Sequence, residues 1–245
     1  MKNKLTLEEF VTSQSLVSRR ALLEFIKQDA VTVNGAVVQN LLHEIVVKTD
    51  VVVVDKSPVE WRYDYMYFRF YKPSGMLSTM EDPKGRLCIG DFVKQMGVPV
   101  FPVGRLDRQT SGLMVLTNDG SFSQLLMHPS YEVKKTYSVG LDKKLVFQDL
   151  ERLQKGVMLE DGPITFSSVS EVASRQVHVS THSGRNRLVR RAFEHLGHKV
   201  ASLKRLRLGS ISLEGISKGE AVIIPKKLIK EIKNEISNSC VDIIE

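Results

Sequence analysis

The most informative stretch of the sequence is GRLDRQTSGLMVLTNDG, residues 104–120. It places Asp107 between Arg105 and Arg108, ahead of a short apolar strand that ends in an Asn-Asp-Gly turn. Neighbouring cations favour the ionised form of a carboxyl group. Asp107 is therefore suited to act as a nucleophile or a base, even in a pocket that partly excludes water. A turn-capping aspartate between solvent-exposed arginines is the alternative interpretation, since surface ion pairs are common and weak.

Length and composition fit a globular protein with a polyanionic partner. The chain has 245 residues, enough for one large domain or for a small and a larger one. Its hydrophobic content of 42% supports a packed core, and its formal charge of +7 favours a partner such as nucleic acid. Cys88 and Cys240 lie far apart and in no metal-binding spacing, which suits a reducing compartment.

The sequence lacks the signals of several function classes. The first ten residues include two glutamates where a signal peptide needs an apolar run, and no run approaches the roughly 20 apolar residues of a membrane helix. There is no P-loop or dinucleotide-binding glycine motif. The histidines have no metal-ligand spacing. The sequence therefore predicts a soluble, cytoplasmic, monomeric protein with no metal, no small-molecule cofactor and no membrane partner.

Residues 1–58 are predicted to form a small unit of their own. Ser18 is a candidate N-cap for an amphipathic helix. Asn34 and Gly35, between β-branched residues, predict a hairpin, and residues 51–54 supply a further strand.

Residues 59–66 are predicted to form a linker, because Pro58 is expected to end the preceding strand. Trp61 and Tyr63 within it have two open interpretations, stacking on bases or packing between domains. From residue 67 to residue 245, alternating short strands with few long helices predict an α+β domain on a mixed, mainly antiparallel sheet. The stretch 226–236 has the spacing of a packing helix.

Three more segments carry chemically useful side chains. YKPSG, residues 71–75, closes a strand with a Pro-Gly turn, and KTYSV, residues 135–139, is an alternating strand that contains Tyr137. SGRNRLVRRAFEHLG, residues 183–197, has the apolar spacing of a helix that stops at its final glycine. Arg190 lies on the shoulder of the apolar stripe, where a long side chain is able to reach into a cleft.

A dense basic run extends from Arg185 to Arg207 and contains a single acid, Glu194. Such density favours a phosphate-facing surface, although a solvated face is the alternative. The basic members of the run are Arg185, Arg187, Arg190, Arg191, Lys199, Lys204, Arg205 and Arg207.

Taken together, these segments resemble the RsuA/RluB family of RNA pseudouridine synthases, in the same order and over nearly the whole chain. The resemblance implies that Asp107 is the catalytic residue that attacks the target uridine. It also implies that Tyr137 lines the base pocket or helps to remove a proton, and that Arg190 pairs with Asp107. Residues 156–163 resemble a turn of the branch that acts on large-subunit ribosomal RNA. Leu188 departs from the polar residue that is usual in the family.

The N-terminal unit resembles the S4-like RNA-binding module over most of residues 3–56. The order of Ser18, Arg19 and Arg20, the apolar helix and the Asn-Gly hairpin carries this resemblance. Arg19 and Arg20, at the start of the helix, form a ready anion site, with solvated arginines as the alternative interpretation. Asp29 stands where the module usually has glycine. The charges of this unit balance, so any RNA contact must come from a local patch.

The resemblance implies site-specific isomerisation of uridine to pseudouridine in ribosomal RNA, with large-subunit RNA as the expected substrate. One alternative is the same reaction on small-subunit RNA. The other is that the protein is a noncatalytic ribosome-assembly factor. The expected partner is ribosomal RNA or a ribosome assembly intermediate. The residues expected to bind RNA are Arg19, Arg20, Lys72, Arg105, Arg108, Arg185, Arg187, Arg191, Lys204 and Arg205.

Overall fold

The computed structural model describes residues 3–239, with side chains to residue 236. Cys240 and the predicted domain end at residue 245 lie outside the described residues. The first part of the chain holds its own apolar core, built around residues such as Phe10, Leu22 and Ile45. Its elements are β1 (Lys4–Thr6), α1 (Leu7–Gln14), α2 (Arg19–Lys27), β2 (Val31–Val33), β3 (Ala36–Val37), β4 (Glu44–Val46), β5 (Val52–Val54) and β6 (Ser57–Val59).

Local signals in this part are confirmed. The Ser18 hydroxyl accepts a hydrogen bond from the Ala21 amide and so caps α2. Asn34 and Gly35 have φ values of 51° and 82°, as a tight two-residue hairpin turn between β2 and β3 requires. β1 pairs with β4, while the other four strands form a sheet in the order β3-β2-β5-β6.

The expectation that Pro58 ends a strand is wrong. Pro58 lies inside β6, opposite Val53 of β5. β6 is at the edge of its sheet, where a proline is tolerated because one side of the strand needs no amide donor. Trp61 packs against the N-terminal core, with its ring centroid 6.2 Å from that of Phe10.

The rest of the chain is built on one nine-stranded sheet. Seven of its strands have the order β13-β14-β10-β15-β9-β7-β17, while β16 pairs with β15 and β8 pairs with β9. All its pairs are antiparallel except β15 with β9. The predicted mixed α+β architecture is confirmed. Its elements are β7 (Tyr67–Lys72), α3 (Ile89–Met96), β8 (Phe101–Pro102), β9 (Thr110–Thr117), α4 (Gly120–Met127), β10 (Lys135–Leu141), α5 (Phe147–Lys155), β11 (Val157–Leu159), β12 (Gly162–Ile164), β13 (Ser168–Ala173), β14 (Gln176–Thr181), α6 (Leu188–His195), β15 (Val200–Leu208), β16 (Ile211–Ser212), β17 (Ala221–Ile223) and α7 (Lys226–Ser239).

Helices cover both faces of this sheet, so its central strands are buried on both sides. Residues 113–117 of β9 and the following residue 118 are all buried. The predicted C-terminal packing helix is confirmed, since α7 buries Ile229, Ile232 and Ile236. Cys88 is buried and free. Among residues 3–239, no helix is long and apolar enough to cross a membrane.

The Asn-Asp-Gly sequence after β9 is a strand-to-helix junction rather than the expected turn. The Asp119 carboxylate accepts a hydrogen bond from the Phe122 amide and caps α4. Asn118 is buried, donates to the Ser13 carbonyl at 2.9 Å and accepts from the Met66 amide at 2.7 Å. This asparagine therefore ties the N-terminal part to the large sheet.

Candidate active site

Asp107 lies in the irregular loop that joins β8 to β9. The Asp107 carbonyl accepts the Thr110 amide at 2.9 Å, so a turn closes immediately before β9 begins. Gly104 enters the loop with φ of 71°, and a Cβ there would lie 2.5 Å from the Met127 thioether. The positive φ therefore favours glycine at this position.

The Lys-Pro-Ser-Gly loop after β7 braces the Asp107 loop from one side. The Gly75 amide donates to the Arg108 carbonyl at 2.7 Å, and the Arg108 Nε donates back to the Gly75 carbonyl at 3.1 Å. The Ser78 hydroxyl donates to the Leu106 carbonyl at 2.7 Å and accepts the Leu106 amide at 3.1 Å. These reciprocal bonds fix the backbone on both sides of Asp107.

Lys72 supports the same loop from inside the protein. It is fully buried, and its Nζ donates to the carbonyls of Pro73 and Thr110, each at 2.9 Å. Burial lowers its pKa to about 8; the Asp107 carboxylate opposes this shift and the Arg205 charge adds to it. The predicted RNA contact of Lys72 is wrong, because its Nζ is held by two carbonyls and its side chain does not line the open space beside Asp107.

A cavity of about 390 Å³ opens beside Asp107. The Asp107 carboxylate is partly exposed to it and accepts no hydrogen bond from any residue within the described range. Its oxygens are therefore available to a ligand. The cavity is lined by Gly104, Arg105, Leu106, Asp107, Thr110, Met127, Lys135, Tyr137, Thr181, Ser183, Gly184, Arg185, Asn186, Arg187, Leu188, Val189, Leu203 and Arg205.

Tyr137 forms part of the wall of this cavity. It lies on β10, opposite Val179 of β14 and Arg205 of β15. Its half-buried ring packs against two apolar clusters of the sheet, which fixes its position. The structure therefore brings Tyr137 and Asp107, two of the predicted site residues, to one cavity.

Arg190 is buried next to the Asp107 loop, on α6. Its guanidinium donates to the Val200 carbonyl at 3.1 Å and to the Gln109 carbonyl at 3.2 Å. The predicted direct ion pair with Asp107 is absent from the described structure, because these two carbonyls hold the guanidinium. The two charges still interact through space: burial and Arg187 lower the pKa of Arg190, and Asp107 opposes that shift.

The predicted phosphate-facing surface between Arg185 and Arg207 is wrong for Arg190 and Arg205, because both are buried. Arg185 donates to the carbonyls of the 161–163 turn, at 2.7 Å for Pro163, and Arg191 pairs with Asp161 at 2.8 Å. Both arginines hold the β11–β12 hairpin against α6.

Other cations remain exposed. Arg187 and Arg105 both line the cavity and are exposed at its mouth. Lys204 is only partly exposed and lines a separate surface pocket that does not include Asp107. Arg19 and Arg20 are exposed at the start of α2, where Arg19 pairs with Glu8 at 3.2 Å.

Sequence analysis missed Lys135 as a site residue. Lys135 is buried, and its Nζ donates to the Val133 carbonyl at 3.0 Å and the His182 carbonyl at 3.1 Å. Burial lowers its pKa, and the charge of Arg205 lowers it further. The alternation of the strand was the available signal, because residues 135 and 137 face the same side.

The described residues contain no group of three or more histidine, cysteine or acidic side chains able to hold a metal ion. His198 is buried, and its Nε2 contacts the Asp149 carboxylate at 2.9 Å. This contact anchors the end of α6 to α5.

Comparison with known proteins gives consistent matches. The profile of the family described as RNA pseudouridylate synthase matches residues 66–195. The chain is 38% identical to the ribosomal large subunit pseudouridine synthase B of Bacillus subtilis, over 93% of this chain and 95% of the relative. It is 35% identical to an uncharacterised RNA pseudouridine synthase of Aquifex aeolicus, over 87% and 88% of the two chains. A crystal structure of a pseudouridylate synthase superposes with a TM-score of 0.66 at 27% identity, over 93% of this chain and 99% of the other.

Proposed function

The chain belongs to the RNA pseudouridine synthase family, and we propose that it isomerises one specific uridine of large-subunit ribosomal RNA, with Asp107 as the catalytic residue. The observation that carries the proposal is the Asp107 carboxylate, which lines a cavity of about 390 Å³ without a hydrogen-bond partner among the described residues, while rigid contacts fix the backbone around it.

The reaction breaks the C1′–N1 bond of uridine, turns the uracil ring and forms a C1′–C5 bond. Asp107 either attacks the nucleotide or removes a proton to assist glycal formation. Tyr137 lines the base pocket, where a phenol is able to stack on uracil. Arg190 orients the turn that follows Asp107 through the Gln109 carbonyl, so it acts as a positioning residue.

A uridine in folded RNA has to leave its stack before it reaches Asp107, which costs a few kcal/mol. Phosphate contacts offset this cost. Arg105 and Arg187 are the side chains best placed for such contacts, because both are exposed at the cavity mouth.

We also propose that residues 1–58 form an S4-like RNA-binding domain, joined by residues 59–66 to the catalytic domain that follows. A separate apolar core supports this division. The domain adds RNA affinity through Arg19 and Arg20, and the chemistry takes place beyond the linker. We place the enzyme in the cytoplasm as a monomer, where it meets ribosomal RNA or an assembly intermediate.

Carbodiimide mapping of pseudouridine across ribosomal RNA tests the proposal. RNA from a deletion strain is compared with RNA from the same strain carrying the wild-type gene. We expect a single large-subunit pseudouridine to disappear on deletion and to return with the gene. Loss of a small-subunit pseudouridine instead would move the substrate to that subunit, and an unchanged map would favour the noncatalytic assembly factor.

A further inference from the structure

Arg205 is a buried cation without a counterion. Its side chain is 1% exposed, and its Nε donates to the Leu113 carbonyl at 2.7 Å. Within the described range, its Nη2 has no hydrogen-bond partner and no carboxylate pairs with it. Buried polar groups in native proteins normally have partners, so an unpartnered one requires an explanation such as a ligand that is absent from the structure.

The residue that carries this unpartnered group belongs to the wall of the Asp107 cavity. Arg205 lies on β15 between Tyr137 of β10 and Gly112 of β9, and it lines the cavity together with Asp107. Thr110, two residues before Gly112 on the same face of β9, also lines the cavity. Its hydroxyl is buried and has no partner within residues 3–239. Two residues of the cavity wall therefore each carry an unsatisfied buried polar group.

The charge around this cavity is unbalanced. Lys72, Lys135 and Arg205 are buried near a single carboxylate, that of Asp107. Arg205 lowers the pKa of both lysines, which places the three cations within each other's field. Uncompensated buried charge is unfavourable, so the cavity is built to receive negative charge from a ligand.

We propose that Arg205 donates a hydrogen bond to a carbonyl oxygen of the flipped uracil and stabilises the negative charge that the uracil gains when the C1′–N1 bond breaks. The Thr110 hydroxyl makes the second contact with the same base edge. This inference rests on the proposed function, and it gives the buried arginine a role in catalysis rather than in phosphate binding.

The charge balance of the reaction supports this role. When the C1′–N1 bond breaks, its electron pair stays on the uracil and spreads over N1, O2 and O4. Asp107 loses its own negative charge at that step, because its oxygen either bonds to C1′ or takes the C2′ proton. One negative charge therefore moves from Asp107 to the uracil.

The remaining steps return this charge to Asp107. C5 of the turned ring bonds to C1′. The carboxylate leaves C1′, or on the glycal route returns its proton to C2′. The C5 proton is lost and N1 gains one, so the product is an isomer of the substrate. Preorganised donors at a developing oxyanion contribute strongly to catalysis.

The test compares single-turnover cleavage of the glycosidic bond in two ribosomal RNA fragments, one with the target uridine and one with 5-fluorouridine in its place. Fluorine stabilises the uracil anion, so its cleavage depends less on Arg205. We expect Arg205→Met to slow uridine cleavage by about 10² to 10³-fold and fluorouridine cleavage by a factor at least ten times smaller. Arg205→Lys, which keeps the charge, should lose less. Arg175→Met, which removes an exposed arginine in the β13–β14 turn, should match wild type.

Thermal melting separates this role from a structural one. Arg205→Met removes an uncompensated buried charge, which stabilises, and the donor to the Leu113 carbonyl, which destabilises. Because the two effects oppose each other, its melting temperature should stay near that of wild type. If Arg205→Met does not fold, Thr110→Val carries the test, because it removes only an unpartnered hydroxyl. It should lower the rate at least fivefold, a barrier change of about 1 kcal/mol, without lowering the melting temperature.

Equal losses on the two RNAs, or a Thr110→Val rate equal to wild type, would overturn the inference. Wild-type protein is measured in parallel on the uridine fragment. Failure of the wild type to form pseudouridine would contradict the proposed function itself, so the two failures are distinguishable.

Discussion

At the residue scale, the loop that carries Asp107 is held by cations that donate to backbone carbonyls. Lys72 donates to Thr110, Arg190 to Gln109 and Arg108 to Gly75. None of these bonds uses the Asp107 carboxylate. The surrounding charges therefore fix the position of Asp107 and leave its oxygens free for substrate.

Arg190 and Arg191 are adjacent on α6 but have different roles. Arg190→Ala leaves the carbonyls of Gln109 and Val200 without their donor, and the Asp107 turn shifts. We expect a loss of about 10²-fold in the single-turnover rate at saturating RNA. Arg191→Ala removes a partly exposed ion pair with Asp161, so the expected loss is below about fivefold. Equal losses would show that both arginines serve the same purpose.

Lys72 should make the free energy of unfolding depend on pH in the alkaline range. Its pKa falls from 10.5 to about 8 in the folded protein. Below pH 8 both the folded and the unfolded states carry the proton. Between pH 8 and 10.5 the unfolded state binds more protons, so the free energy of unfolding contributed by Lys72 rises with pH.

Urea unfolding of wild type and Lys72→Met at pH 7 and pH 9.5 measures this effect. Wild type should gain about 1–2 kcal/mol relative to the variant over that interval. The comparison removes the contributions of other titrating groups, which both proteins share. A stability difference that is constant with pH would contradict a lowered pKa at Lys72.

At the element scale, local patterns predicted most helices and strands. Ser18 capped α2, the Asn34–Gly35 hairpin formed, and the apolar spacing of 189–196 gave α6. The secondary-structure predictions failed where tertiary contacts or a helix cap decide the local conformation. Pro58 stayed in a strand because that strand is at an edge, and the Asn-Asp-Gly sequence led into a helix because the Asp119 carboxylate caps α4.

Gly112 allows β9 and β15 to lie side by side. Its φ is 108°, and a Cβ there would lie 2.3 Å from the Arg205 carbonyl oxygen. Gly112→Ala should lower the free energy of unfolding by about 2–4 kcal/mol. Gly120→Ala is the matched control, because a Cβ there meets nothing within 4 Å, and it should raise stability by up to about 1 kcal/mol. Urea unfolding of both variants checks this, and equal effects would refute the close-approach argument.

At the scale of the whole molecule, the sequence predicted Asp107, Tyr137 and Arg190 as site residues, and the structure brings them to one region. The sequence did not reveal that Lys72, Lys135 and Arg205 are buried, because strands covered on both faces lack a simple alternation of exposed and buried residues. Basic residues in such strands resemble a surface patch in the sequence. Their burial depends on which helices cover the sheet.

The N-terminal unit is proposed to bind RNA through a local patch. Each lost phosphate contact flattens the plot of log affinity against log salt by about 0.7–0.9. The full-length double variant Arg19→Gln/Arg20→Gln should therefore lower the slope by about one to two. Lys56→Gln, an exposed turn residue of the same unit, should leave the slope unchanged. Coincident slopes for the double variant and wild type would mean that this patch does not touch the RNA.

The most direct test of the whole account is single-turnover pseudouridine formation by Asp107→Asn on the ribosomal RNA fragment that contains the mapped uridine. The amide keeps the shape of the side chain but cannot act as a carboxylate, so formation should be abolished while RNA affinity and melting temperature stay near wild type. Asp55→Asn, in an exposed turn, should keep full activity. A rate for Asp107→Asn within tenfold of wild type, a barrier change below about 1.4 kcal/mol, would contradict the assignment of Asp107.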